Sequence, residues 1–297
     1  MRRSNFYRVP RYFETLVPRV LITEIDTIYN ISLADAPFVV FDFETTGLDV
    51  RRGARIVEIG ALKLDRGDVA GHFLTLVDPE VPVPADATAV HGLTDADLAG
   101  QPKLADALPR FLAFAGDAVL VAHNLPFDLS FAAAASRELA LPPLRNATVD
   151  LLGLARRCCP GLGSYSLENL AAALGVVNPA PHRSLGDVAV ESQLLLTFLA
   201  AVRRQGDAET VGDLVLLSRG VAAEGVSAEA AVTLEWAAAA GQTVPIIYHG
   251  SKGESSRSIS PRRVKTRGRV CYVVAYCHSS GAEREFRLDR LELAPDG

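Results

Sequence analysis

The chain has 297 residues, 49% hydrophobic and 22% charged, a balance that excludes a disordered polyelectrolyte and allows one large domain or two modest ones. Its formal net charge of −5 is uneven: residues 241–297 hold 10 Lys and Arg against 6 Asp and Glu, so a tail of net +4 follows a body of net −9. A basic tail suits a polyanion directly, an acidic body meets nucleic acid where its carboxylates hold cations, and a solvated surface accounts for so small a bias equally well.

In chain order, residues 1–35 read as an N-terminal extension, broken by Pro10 and Pro18 and by Arg2, Arg3, Arg8, Arg11 and Arg19, which leave no apolar signal-peptide core. No run reaches the roughly 20 apolar residues of a membrane span, so no membrane is expected and a cytoplasmic location is. The chain opens on Met, and no processing is expected. Phe38 to Phe43, Ile56 to Leu64 and Gly71 to Val77 read as strands, the last two joined by a hairpin at Asp65-Arg66-Gly67-Asp68. Thr94, with Asp97 three residues on, predicts a boxed helix start running toward Phe114. Ala118 to Ala122 is a buried strand, followed by a helix from about Pro126, a short strand near Thr148 to Leu151, and helices through Leu174 and Val202. A meander followed by alternating strands and helices predicts a mixed sheet covered by helices.

Residues 205–226 read as a linker of partial helical character. Ser227 caps an alanine-rich helix to Ala240, and short strands at Val244–Tyr248, Ser258–Ser260, Val270–Cys277 and Glu285–Leu291 form a small all-β unit. The four cysteines, Cys158, Cys159, Cys271 and Cys277, make no C-x-x-C pair, so reduced thiols and no zinc site are expected.

The chemistry-bearing segment is Val39-Val40-Phe41-Asp42-Phe43-Glu44-Thr45-Thr46-Gly47. Strand alternation puts Val39, Phe41 and Phe43 on one face, Asp42 and Glu44 on the other. Two unpaired buried anions would cost several kcal/mol each, about what the ordinary burial of a charge costs after relaxation. A divalent cation removes that conflict, since hard oxygen ligands suit Mg²⁺ or Mn²⁺; a solvent-facing strand end would remove it too. Two later segments, His123-Asn124-Leu125-Pro126-Phe127-Asp128 and His182-Arg183-Ser184-Leu185-Gly186-Asp187, are weak alone: Asp128 would suit a helix dipole, and His182 and Asp187 a solvated surface.

Together and in this order, D-x-E-T-T-G, H-N-x-x-F-D and H-R-x-x-x-D resemble the DEDDh exonucleases, the DnaQ-like, DNA polymerase III epsilon-like family, over about residues 36–204. His91-Gly92-Leu93-Thr94-Asp95 matches another recurrent segment of that branch, and Ser184 and Val188 stand where the family often has alanine. The resemblance implies an α/β RNase H-like mixed sheet with flanking helices, and 3′→5′ removal of mononucleotides from single-stranded DNA or RNA ends. It implies two divalent ions, Mg²⁺ or Mn²⁺, held by Asp42, Glu44, Asp128 and Asp187, with His182 as base. Backbone groups at Thr45 and the Leu48 side chain are expected to meet the terminal nucleotide. Phe127 is expected in the core, His123 as a structural hydrogen-bonding residue, and His91 shaping the loop before a helix.

Residues 227–297 resemble a WYL domain, a small Sm-like β-barrel with a leading helix, through R-x-I-x-P at Arg257–Pro261 and R-x-F-R-L-D-R at Arg284–Arg290. Cys271-Tyr272-Val273 stands where W-Y-L is usual. This implies binding of nucleic acid or a nucleotide ligand, with Arg257, Arg284, Arg287 and Arg290 as phosphate donors and Tyr248, Tyr272 and Phe286 as stacking candidates. Alternation instead points Phe286 and Leu288 into the barrel, and a solvated basic barrel fits the same residues. The competing functional reading is a ligand-sensing nucleic-acid-binding regulator that uses the nuclease fold as a platform; the complete five-residue set argues against it. A nucleotidase of very short oligonucleotides is a third. Sugar preference, a polymerase partner and oligomeric state are not encoded in these motifs.

Overall fold

The apolar segment Phe38–Thr45 forms β1, the middle strand of a five-stranded sheet ordered β3-β2-β1-β4-β5. The computed structural model describes residues 25–221, 225–251, 253–268 and 270–295. The interrupting arginines and prolines of the expected N-terminal extension lie outside the described residues; its end carries α1 (Ile25–Asn30). β2 (Ile56–Asp65) and β3 (Asp68–Leu76) run antiparallel to their neighbours, whereas β4 (Val119–Ala122) and β5 (Thr148–Asp150) are added in parallel. The expected hairpin is present: Asp65 pairs with Asp68, and Arg66 and Gly67 both have positive φ (50° and 86°), the backbone a two-residue type I′ turn requires.

The helices are α2 (Ala85–His91), α3 (Asp95–Leu98), α4 (Leu104–Ala115), α5 (Pro126–Glu138), α6 (Leu151–Cys158), α7 (Leu167–Leu174), α8 (Ser184–Gln205), α9 (Val211–Ser218) and α10 (Ala228–Ala240). The Thr94–Asp97 capping box forms, yet the helix it starts lasts one turn instead of reaching Phe114. Gly100, at φ 78°, and Pro102 end it, because neither continues a right-handed helix, and α4 starts afresh. Phe41 and Phe43 pack on Phe111 of α4, with ring centroids 5.5 and 5.7 Å away, so α4 covers the apolar face of β1.

α8 lies across β1 and β2. It corrects the expectation that no stretch matches a membrane span: it has 22 residues and is apolar enough by length and composition. With 56% of its most apolar window buried, it serves as a core helix. Its close seating depends on Gly60, which sits opposite Asp42 in the β1–β2 register; a Cβ there would meet Ser184 Oγ at 2.5 Å and its backbone carbon at 2.7 Å.

The second sheet has the order β10-β6-β7-β8-β9, all antiparallel. Its strands are β6 (Val244–Gly250), β7 (Gly253–Arg267), β8 (Val270–Cys277), β9 (Ala282–Arg287) and β10 (Leu291–Leu293). The expected short strand at Ser258–Ser260 is part of the 15-residue β7, whose ladder slips between Pro261 and Arg263; proline donates no ladder hydrogen bond, and the irregularity accommodates it. The expected strand Glu285–Leu291 is split by a 3₁₀ turn, Leu288–Arg290. Among the described residues β9 and β10 do not pair, so the unit is an open sheet rather than the closed Sm-like barrel expected. Phe286 and Leu288 are buried as alternation predicts, and Cys271 and Cys277 are buried free thiols.

The stretch expected as a linker, 205–226, contains α9, with Val211, Leu214 and Val215 fully buried. A glycine at 153 permits its approach: a Cβ there would fall 1.7 Å from the Ser218 carbonyl oxygen. α9 and α10 join the two sheets. The Arg219 guanidinium, 6% exposed, donates to Glu235 of α10 and to the Thr148 carbonyl of β5, while the Arg219 carbonyl accepts the Thr266 hydroxyl of β7. α10 packs on α5, and Trp236 Nε1 donates to the Asn146 carbonyl.

Candidate active site

β1 carries two acids because its second face does not meet a helix along its whole length. Asp42 and Glu44 emerge there half-buried, and the β1–β2 register shifts between Glu44 and Thr45, where the strand leaves the sheet. α8 brings Asp187 over the same spot. One carboxylate oxygen from each of Asp42, Glu44 and Asp187 lies within 4.8 Å of the others. Asp128, in the first turn of α5 and 2% exposed, sits beneath, its Oδ1 accepting the Phe43 amide at 3.2 Å. The four acids read from the sequence therefore converge.

Both oxygens of Asp187 are oriented. Asn178 Nδ2 donates to Oδ1 at 2.6 Å and the His182 amide to Oδ2 at 3.1 Å. His182 precedes α8 with φ 57°, a left-handed conformation that non-glycine residues rarely adopt and that recurs at functional sites. Its half-exposed ring reaches Glu168 of α7, Nε2 to Oε1 3.5 Å. His182, Glu168, Asp42, Asp187, His123 and Glu191 line one cleft of about 670 Å³.

The electrostatics are those of too many anions in one place. Burial and then the neighbouring Asp128, Glu191, Glu44 and Asp187 push the Asp42 carboxyl well above its ordinary range. Burial also pushes Asp128 up, against the hydrogen bond from the Phe43 amide, and pushes Glu191 up together with Asp128 and Asp187. Glu44 is raised to about 7 by burial, Asp187 and Glu58. Asp187 is raised by burial against its hydrogen bond from Asn178. Like charges this close cannot all ionise in a protein medium without a compensating cation. An all-oxygen donor set of this density is the chemistry of a hard divalent ion, so the residues fit one.

Other expected positions fare differently. Thr45 is buried, its hydroxyl donating to the Gly47 carbonyl at 2.8 Å, and Leu48 is 87% exposed; neither is among the residues that line the cleft. Phe127 packs against Phe131, ring centroids 5.0 Å apart, in the core as expected. His91 is buried, and its Nδ1 accepts the Leu93 amide at 3.1 Å. His123 faces the cleft, and burial lowers its pKa. Arg257, Arg284, Arg287 and Arg290 lie on the second sheet and do not line the acidic cleft. Two of them already have partners: Arg257 Nε donates to Ser255 Oγ at 3.1 Å, and Arg287 forks onto Asp289.

Sequence reading missed Glu191, Glu58, Asn178 and Glu168. Glu191 leaves a signal, an acid four residues after Asp187 between apolar positions of one helix; Glu58 leaves another, a lone acid inside the apolar run IVEIGALKL. Asn178 and Glu168 sit in polar stretches with no pattern to mark them.

The family model described as "Exonuclease" matches residues 39–195, and that of the WYL domain matches residues 229–294. The "DNA polymerase III subunit epsilon-like protein" of Rhodobacter capsulatus is 41% identical over 185 residues, 59% of this chain, of which the chain spans 26% of the relative's own length. The "DNA polymerase III subunit epsilon" of Aquifex aeolicus is 33% identical over 168 residues, covering 57% of this chain and 83% of that protein. Among solved structures, E. coli exonuclease I in complex with a dA16 oligonucleotide superposes with a TM-score of 0.53 at 16% identity, covering 82% of this chain and 55% of that one, which is a likeness of fold.

Proposed function

This chain belongs to the exonuclease family, and from that premise we propose that it is a divalent-metal-dependent 3′→5′ exonuclease acting on single-stranded DNA or RNA ends. The observation that carries the reading is the convergence of Asp42, Glu44 and Asp187 within 4.8 Å, from a strand and a helix far apart in sequence, above the buried Asp128. Asp42, Glu44, Asp128 and Asp187 hold two ions, Mg²⁺ or Mn²⁺. Ions held there would supply positive charge for the phosphate and the leaving oxygen and would lower the pKa of a water.

The remaining work falls to the chain. His182 Nε2 takes the proton from that water; an imidazole suits the task because its unperturbed pKa of about 6.5 lies near neutral pH. Glu168 Oε1, 3.5 Å from that nitrogen, orients the ring at the cleft. Asn178 fixes the carboxylate of Asp187, and the exposed Leu48 offers an apolar contact for the terminal nucleotide beside the Thr45 backbone. His182, in its left-handed conformation, lies two residues before the start of α8, whose first turn carries Asp187, so base and ligand come from one short stretch of chain.

In the same reading residues 36–204 form the catalytic unit, and 227–297 form a WYL-like unit that binds nucleic acid or a nucleotide ligand. The net +4 charge of the tail and the exposed Arg284 and Arg290 support that role. A cytoplasmic location fits a nuclease of this kind. The test is digestion of 5′-labelled DNA and RNA single strands with Mg²⁺ or Mn²⁺ and with EDTA. A ladder that shortens from the 3′ end and needs the ion is expected; intact strands, or release of the labelled nucleotide first, would overturn the proposal.

A further inference from the structure

The acidic cleft holds a fifth carboxylate outside the four-acid set. Glu191 lies one turn beyond Asp187 on α8, on the same helix face, directly after the buried Val188 and Val190 and before the buried Ser192. It is 1% exposed. Its Oε2 is buried without a hydrogen-bond partner, although the side chain lines the cleft together with Asp42 and Asp187. The groups that face it are Asp128, Asp187 and Asp42, with the His123 amide on its carboxyl. Asp150 adds a further anion, and Arg156 lines the same cleft.

A carboxyl in that position is costly as a packing residue. An unsatisfied buried polar atom costs about 1–3 kcal/mol, and a valine or threonine would fill a helix interior without that loss. The orphaned oxygen belongs to a side chain that lines the same cleft as Asp42 and Asp187, and a cation bound beside it would satisfy it. Four carboxylates match the charge of two divalent ions, and Glu191 adds one formal negative charge beyond that match. We propose that Glu191 is a fifth carboxylate of the cation centre, through which this chain binds divalent ions more tightly than the four-acid set would alone. The inference rests on the metal-dependent reading above and deepens it.

The test is direct ion binding. The full chain, stripped with EDTA and dialysed, is titrated with Mn²⁺, and the free ion is read from its electron paramagnetic resonance signal. Wild type is compared with Glu191→Gln, which keeps the shape and removes the charge. Loss of one bound equivalent, or at least tenfold weaker binding of the weaker ion, is expected, the range seen when outer carboxylates of metal sites are removed. In EDTA the variant should melt no lower than wild type, since it sheds a repelled charge. Should the Gln variant fail to fold, Glu191→Asp withdraws the same charge by one methylene and should also weaken binding. Mn²⁺ affinity and stoichiometry equal to wild type in a folded variant would overturn the inference while leaving the metal reading intact. A wild-type chain that binds no Mn²⁺ would overturn both.

Discussion

Arg183 forks onto Glu58, Nη2 2.6 Å from Oε1 and Nε 3.3 Å from Oε2, while the amide and hydroxyl of Ser184 donate to that same Oε2 at 2.9 Å. Glu58 lies on β2, directly across the ladder from Glu44, and is 1% exposed. It therefore ties the first turn of α8, and with it Asp187, to the strand beside the catalytic acids.

Glu58→Gln should cost about 1–3 kcal/mol, the usual range for weakening a buried charged hydrogen-bond cluster, read by urea denaturation. Burial pushes this carboxyl up, but the bonds from Arg183 and Ser184 outweigh it and hold it below the ordinary glutamate range. A depressed folded pKa stabilises above the unfolded value, about 4.5, and that contribution disappears as pH falls through the folded value. The deficit of the variant should therefore be full at neutral pH and shrink in acid. A deficit that stays constant down to pH 2 would disprove the charge-based account.

Glu44, raised to about 7, has the opposite sign. Without ions, its contribution is present below the unfolded value near 4.5 and is lost as pH rises through about 7, because the folded state prefers the proton. In EDTA, Glu44→Gln should melt above wild type at pH 8 and level with it at pH 4, with about 2–4 °C for each kcal/mol relieved. Excess Mg²⁺ should reverse the order at pH 8, as wild type alone keeps the full ligand set. Scanning calorimetry at both pH values decides it.

Asp42→Asn should abolish cleavage of single strands while leaving the far-ultraviolet circular dichroism unchanged. His182→Ala should retain Mn²⁺ binding and lose about 10²–10⁴-fold in turnover at neutral pH, the usual contribution of a general base. Quench-flow digestion of a 5′-labelled strand measures both, and wild-type rates for His182→Ala would remove it from the proton path.

Arg219→Met leaves Glu235 half-buried and unpaired, and should cost about 3–5 kcal/mol; Arg219→Met with Glu235→Met together should recover most of that. The comparison is a double-mutant cycle in denaturant, and additive losses would show that the pair is not coupled.

Long, strongly patterned elements were legible in advance. β1 announces both its apolar face, which packs on Phe111, and its acidic face, because alternation is a local property of the chain. The Arg66–Gly67 turn is equally local. What stayed hidden depends on distant partners. The helix expected to run from Thr94 stops because Gly100 and Pro102 intervene before α4, and the capping box says where a helix begins, not where it ends. α9 reads as a linker because its apolar residues gain meaning only once Gly153 lets Ser218 approach. The strand split at Leu288–Arg290 left the second sheet open, although residue alternation predicted its buried side chains correctly. Glu191 was visible as a residue but not as a neighbour of Asp42, since helix register and strand register meet only in three dimensions.

The seam built by Arg219, Trp236 and α10 has an effect on the chain as a whole. α10 rests on α5, the helix that carries Asp128, and Trp236 reaches the segment leading into β5. Severing the chain ahead of α10 would strip the cover from α5 and bare an oily flank prone to clumping. Conversely, any oligonucleotide or small anion that grips the second sheet would, by mass action, raise the melting point of the scaffold under the acids, making the intact protein its own thermometer for ligand capture.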